Sequence, residues 1–428
     1  MKRIISGILG AALLSASLFG GASMALENNK MSDKNIEVPQ WRSSQNITND
    51  KYMLFKDKYD INRDTSSLGG AQSKYYSKYI EYTAPNGKPI RIVAMDKVTD
   101  DQILYAYNLL SFYIKNIEAL GKGSVANQMA DNEAILILPN GADRDGNTPD
   151  EAMELGQNLN QMEIANIASD WYIENDYEHR DAAFEEIFHM VHDYGIGTTQ
   201  NEGAAPEISN TIAKAMKKAL PTEKRKWGRK GLWGLSSKDW LEELSEEGSL
   251  EQEYIASVID SYYGLWEPWT EEDGGMWGIY LAKTRAEIAD KDPSGYQAIQ
   301  SILPKYINEM MLVDSSFKGD FYMIRKVNKP YTFKSQYLQN LSLTGKNDNN
   351  IIANDLDNVL MGNSGTNRFN GGKGEDVLQL RGKLSEYNIK INNGIAVIED
   401  TVKNRDGVNI MVNIETIRAT DKDYEINK

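Results

Sequence analysis

Apolar and polar residues along this chain follow several different periods, and each period marks a region. The stretch KYIEYTAPNGKPIRIVAM, ending at Met95, reads as two strands joined through Asn86-Gly87, a dipeptide suited to a tight hairpin turn. DDQILYAYNLLSFYIKNI, residues 100–117, then sets apolar residues at helical spacing behind an acidic start. AILILP, residues 134–139, is a short apolar run of the kind that forms a buried strand. Strand, helix, strand predicts an α/β opening. From Met153 to about Pro304 the spacing predicts mostly helix. After Pro330 the helical period vanishes and Asn, Gly and Asp crowd in, which places a boundary near residue 335.

The tail keeps a longer period. From Thr344 it divides into TGKNDNNII, ANDLDNVLM, GNSGTNRFN and GGKGEDVLQ, nine residues each. The sixth position reads Asn349, Asn358, Asn367 and Asp376, and the eighth reads Ile351, Leu360, Phe369 and Leu378. An inward apolar residue and a polar one at fixed offsets suit a coil that stacks on itself. Beyond it, Tyr387, Ile389 and Ile391 alternate as a half-buried strand would.

The 428 residues, 41% of them hydrophobic, suffice for two or three domains. Acidic residues outnumber basic ones by 62 to 47, for a net charge of −15. That balance argues against nucleic-acid binding, which needs a basic footprint. It suits an exported protein or one that recruits divalent cations. Lys2 and Arg3, the apolar run from Ile4 to Phe19 and the small residues up to Ala25 read as a signal peptide. The mature chain is therefore expected to begin near Leu26 and to be secreted, either extracellular or periplasmic. No later run is long and apolar enough to form a transmembrane helix. Cysteine is absent, which excludes disulfides, thiolate metal sites and a cysteine nucleophile.

Candidate chemistry centres on DAAFEEIFHMVHDYGIG, residues 181–197. Glu185 and His189 stand four apart, so on a helix both can reach one ion, while Glu186 sits about 100° round and would flank a water on that ion. The spacing is that of the metallopeptidase motif H-E-x-x-H with glutamate in the first ligand position. Zinc accepts carboxylate oxygen, but each carboxylate ligand makes the ion a weaker Lewis acid and helps harder ions such as manganese or iron compete. His192 shares the face of Glu185 and His189 but lies roughly 10 Å along the axis from Glu185. It is expected behind the ligands or in a cleft, and His179 in a loop.

Two resemblances join these observations. EEIFHMVHDYGI resembles the metal-binding helix of zincins of the gluzincin type, related to the lethal-factor metallopeptidases. LEQEYIASVIDSYYGLW, residues 250–266, resembles the helix that carries their third, glutamate ligand. The segments 212–233 and 284–304 resemble the intervening and following stretches, so the likeness spans roughly residues 90 to 305. It implies Glu185, His189 and Glu253 as ligands of Zn2+ or another divalent transition metal, with Glu186 as the catalytic general base. The resemblance makes a peptide or protein the substrate, while His192, Asp193 and Tyr262 are read from the sequence as residues behind the ligands or in the cleft. On its own residues, Glu253 opens what reads as an amphipathic helix with Ile255, Val258 and Ile259 toward the core. Ser257 departs from the family, standing where a further acid is often found.

The last nonapeptide matches G-G-x-G-x-D-x-U-x in full and resembles the calcium-binding β-roll repeat of RTX (hemolysin-type) proteins. That likeness implies Ca2+ near Asn358, Gly371, Gly372, Gly374 and Asp376. Because three of the four units carry Asn in place of Asp, affinity is expected to be modest, at ~10⁻⁴–10⁻³ M. An Asn ladder holding the roll without an ion is the alternative.

The expected organisation is α+β. A signal peptide at 1–25 and a polar arm at 26–75 precede a mainly helical zincin-like domain with a small N-terminal sheet at 76–335. An all-β roll with a strand cap follows at 336–428. The function expected is a secreted metal-dependent hydrolase, most simply a peptidase. The competing reading is an inactive zincin fold serving as a secreted binding or adhesion protein. A di-metal carboxylate oxidase fails for want of a second E-x-x-H.

Overall fold

The hairpin and the helix after it form where the periods place them. β1 (Lys78–Thr83) and β2 (Pro89–Ala94) pair antiparallel from Lys78↔Ala94 to Thr83↔Pro89. Gly87 closes the turn at φ 80°, a backbone conformation that a β-carbon disfavours. α1 (Asp100–Glu118) opens on a reciprocal cap: Gln102 N–H donates to Thr99 Oγ1, and Thr99 N–H donates to the Gln102 side-chain oxygen. β3 (Ile135–Leu138) runs parallel to β2, and β4 (Gln157–Asn158) parallel to β3, giving a sheet in the order β1-β2-β3-β4. The computed structural model describes residues 60–426 except 122, 123, 144 and 147. The expected leader and the arm as far as residue 59 lie outside the described residues.

Helices fill the middle of the chain. α2 (Ala183–Val191) runs into one π-type turn at His192–Ile196. α3 (Pro206–Ala219), α4 (Leu250–Tyr262) and α5 (Pro293–Ile302) follow. α4 packs against α2, α3 and α5 together, so every residue from Glu251 to Tyr262 is buried. The amphipathic reading of this helix is therefore corrected: Ile255, Val258 and Ile259 face the core, but no face of the helix meets solvent. Its polar residues, Glu253 among them, have to find partners inside the protein.

From Ile307 the chain winds between two sheets. β5 (Ile307–Val313), β7 (Leu338–Leu343), β9 (Val359–Met361), β11 (Val377–Gln379) and β15 (Thr416–Arg418) stack parallel in one. β6 (Gly319–Tyr322), β8 (Asn349–Ile352), β10 (Thr366–Asn370) and β14 (Val408–Val412) stack parallel in the other. Antiparallel strands β12 (Tyr387–Asn392) and β13 (Ile395–Asp400) extend the second sheet, and β16 (Asp423–Glu425) extends the first. The coil thus begins before the composition shift near residue 335, since β5 and β6 already belong to its sheets. A single hydrophobic core joins Ile80 to Ile417 across that position.

Register explains the nine-residue period. Met311, Leu341, Leu360, Leu378 and Ile417 stand directly over one another, as do Phe321, Ile351, Phe369 and Met411. All nine are buried. The sixth-position residues Asn349, Asn358, Asn367 and Asp376 are also fully buried. The three asparagines use their side-chain N–H groups as braces: Asn349 Nδ2 donates to Phe317 O at 3.0 Å, Asn358 Nδ2 to Gln339 O at 2.7 Å, and Asn367 Nδ2 to Asn349 O at 3.4 Å. An ionised aspartate has no hydrogen to donate, which is a physical reason for amide side chains at these positions. The alternation in β12 fades outward: Tyr387 is buried, Ile389 partly so and Ile391 40% exposed.

Shortening a ladder side chain should cost more than shortening the exposed one. Leu360→Ala is expected to lower unfolding stability by about 2–5 kcal/mol, and Ile391→Ala by no more than about 0.5 kcal/mol, as read from urea-unfolding midpoints.

Candidate metal centre

α2 and α4 cross against each other inside the helical region. Glu185 and His189 lie one turn apart on α2, and Glu253 lies in the first turn of α4. The three offer ligand atoms that all fall within 4.8 Å of one another, and all three residues are buried. His189 Nε2 is 3.9 Å from Glu253 Oε1. Glu185 Oε1, His189 Nε2 and Glu253 Oε2 have no hydrogen-bond partner. Buried polar atoms without partners are costly and uncommon, and three in one cluster drawn from ligating side chains fit a cation.

The charges in the cluster are strongly coupled. Burial by itself favours the neutral ring of His189, but the carboxylates around it, Glu253 foremost and then Glu186 and Glu185, outweigh burial and push its pKa up to about 10. Burial pushes Glu253 well above the usual carboxylate range, with His189 opposing. A cation bound there would have to displace the proton that the surrounding carboxylates favour on His189.

Glu186 is the most exposed member of the group, its side chain 13% accessible. Gln157 Nε2, on β4, donates to Glu186 Oε2 at 2.8 Å, and His189 Nδ1 lies 3.4 Å from the same oxygen. Arg180 reaches in from the segment before α2: its Nη2 donates to Glu185 Oε2 at 2.5 Å, and its Nη1 lies 3.7 Å from Asp260 Oδ2 on α4. Burial, with Glu185 next, pushes the Asp260 carboxyl up to about 8. Sequence reasoning missed Gln157, Arg180 and Asp260. The only signal was Arg180 itself, a lone arginine in the acidic run NDYEHRDAAFEE.

The residues expected around the ligands are spread more widely. His192 opens the π turn and is fully buried with its ring 5.8 Å from Phe188; burial holds it neutral, its pKa pushed down to about 3. Asp193 Oδ1 accepts from Gln252 Nε2 at 2.8 Å, tying the end of α2 to the start of α4. Tyr262 lies about 13 Å along α4 from Glu253 at helical rise, with Arg285 over its ring at 3.8 Å. His179 pairs with Asp176 at 2.8 Å and stacks on Trp171 at 4.4 Å. Ser257 Oγ accepts from Trp233 Nε1 at 3.0 Å and donates to the Glu253 carbonyl at 2.9 Å, bracing α4 directly behind Glu253.

In the coil, Asp376 Oδ1 accepts from Asn358 N–H at 2.8 Å, while Asp376 Oδ2 and Asn358 Oδ1 are buried without partners. Burial, reinforced by Glu415, Asp357 and Glu375, pushes the Asp376 carboxyl up to about 7. Gly371 and Gly374 let neighbouring turns approach: a β-carbon would come within 1.9 Å of Asn413 O at Gly371, and within 2.5 Å of Leu356 O at Gly374. Gly372 has φ +91°. These glycines are required by the stacking whether or not an ion binds.

Two pH dependences follow. If the trio takes up Zn2+, the ion must expel the His189 proton, so apparent affinity should rise with pH from about 6 to 9 and protons should appear in weakly buffered solution. This is measurable by titration calorimetry in buffers of different ionisation enthalpy. The Asp376 carboxyl titrates near 3.8 when unfolded and near 7 when folded, so its contribution is favourable below the lower value and lost as pH rises through the upper one. In chelator, the gap between unfolding midpoints of the native chain and Asp376→Asn should therefore change between pH 4 and 7, approximately, and level off above. Compared with protein-family models and with curated proteins, the chain matches none.

Proposed function

We propose that the protein is a metal-dependent hydrolase of the zincin type that cleaves peptides, and that its C-terminal coil is an RTX-type β-roll able to take Ca2+. The observation that carries the hydrolase reading is the buried set of Glu185, His189 and Glu253, brought together from two helices with their ligand atoms unpartnered. Peptide as the substrate class follows from the resemblance to zincins, and export from the leader-like first 25 residues. The β-roll reading rests on the nonapeptide match and on the parallel stacking of successive turns.

Glu185, His189 and Glu253 would hold the cation, which when bound supplies the Lewis acidity that polarises a carbonyl and acidifies water. Glu186 stands next to His189 and is the group placed to take a proton and return it to a leaving amine. Gln157 fixes that carboxylate through its 2.8 Å hydrogen bond. Being on the edge strand β4, it couples the general base to the small sheet.

One observation favours the competing reading, an inactive fold used for binding. Arg180 occupies one oxygen of Glu185, and the Glu185 and Glu253 side chains are almost closed to solvent. The two readings part on metal content and cleavage measured together. The hydrolase reading expects a bound transition metal after purification, cleavage of casein or a peptide library, and a loss of about 10²–10⁴-fold in rate for Glu186→Gln at unchanged metal content. Metal-free protein that takes up no Zn2+ and cleaves nothing leaves the binding reading. For the coil, added Ca2+ should raise the unfolding temperature of the native chain and not that of Asp376→Ala.

A further inference from the structure

The feature that most distinguishes this centre from a plain three-ligand cluster is Arg180. It stands five residues before Glu185, outside α2, and nothing in the ligand spacing calls for it. Its position is fixed from several sides. Next to it, Asp181 accepts from Tyr105 Oη at 2.5 Å and from Ala183 N–H at 3.2 Å, which pins the entry to the helix. Its guanidinium lies 4.9 Å from the Trp277 ring and 3.7 Å from Asp260, with the side chain only 11% accessible. An arginine this enclosed is tolerated only with a carboxylate beside it. Glu185 is the nearer of its two carboxylates and the one that accepts its hydrogen bond, Asp260 being the other, and Glu185 is fully buried itself.

We propose that Arg180 is a charge-compensating and positioning residue of the metal centre, turning the Glu185 ligand into the electrostatic counterpart of a neutral histidine. This rests on the reading that Glu185, His189 and Glu253 bind a cation. With Glu185 Oε2 tied to Arg180, the carboxylate is held in one orientation and offers the centre only Oε1, the oxygen without a partner. Counted as a unit, Glu185 and Arg180 carry no net charge. The ligand set then presents one negative charge to the ion, from Glu253, where two glutamates would present two. Excess carboxylate charge favours hard, oxygen-seeking ions, so Arg180 keeps the centre suited to Zn2+ over Mn2+.

The test uses the full chain stripped of metal and titrated separately with Zn2+ and Mn2+ by chelator competition, with circular dichroism and thermal unfolding as controls for folding. Arg180→Met should move the Zn2+/Mn2+ affinity ratio toward Mn2+ by about tenfold or more, the scale of a group that orients a ligand. Arg180→Lys keeps the charge and should stay near the native ratio. The reciprocal change is as diagnostic. Glu185→His completes the familiar motif, yet it removes the carboxylate that accepts from Arg180 and leaves that cation beside the ion with only Asp260, 3.7 Å away, to balance it, so it should weaken Zn2+ binding. Glu185→His with Arg180→Met removes the pair together and should restore it. A folded Arg180→Met with the native ratio, or Glu185→His binding Zn2+ more tightly than the native chain, overturns the proposal. If Arg180→Met does not fold, the Glu185→His comparison decides alone. A native chain that binds neither ion defeats the metal-centre reading itself, and the proposal with it.

Discussion

The centre depends on the enclosure of α4. A helix surrounded by α2, α3 and α5 cannot send its polar side chains into water, so Glu253 and Asp260 must be satisfied within the protein. α2 brings Glu185 and His189 to the same place, and Arg180 enters from the chain before it. The result is a group of ionisable residues whose charges can be balanced only by one another or by a bound cation. Burial makes each of these interactions strong, because few water dipoles remain to screen them. The same burial leaves the site intolerant of partial pairing, and this is where the unpartnered atoms of Glu185, His189 and Glu253 acquire their meaning.

The coil solves a similar problem without an apolar answer. Asparagines at a position facing the inside of each turn would be a liability if left unpaired. They instead donate to carbonyls of neighbouring turns, so the backbone stacking and the polar interior support each other. Asp376 is the exception in the series. Its carboxylate accepts from one turn but leaves an oxygen without a partner, and that makes it the point where an ion would contribute most.

The helical region and the coil share their hydrophobic core, and Arg285 is one of the joints between them. Its guanidinium lies between the rings of Tyr262 on α4 and Tyr337 beside β7, at 3.8 and 3.9 Å. A cation stacked between aromatic faces resists sliding as well as separation. The coil is thereby fastened to the same helix that carries Glu253.

Much of this was legible from local order alone. The hairpin through Asn86-Gly87, the helix from Asp100, the buried strand at 135–138 and the nine-residue repeat all express a period of side-chain directions, and such a period is written in neighbouring residues. The spacing of Glu185 and His189 belongs to the same class, since one helical turn fixes their common face. The meeting with Glu253, the grip of Arg180 on Glu185, the bond from Gln157 to Glu186 and the burial of α4 on all sides join residues from separate elements. No local period encodes them. They were decided by which helices pack together, and hence by the need to pair every charge once the water was gone.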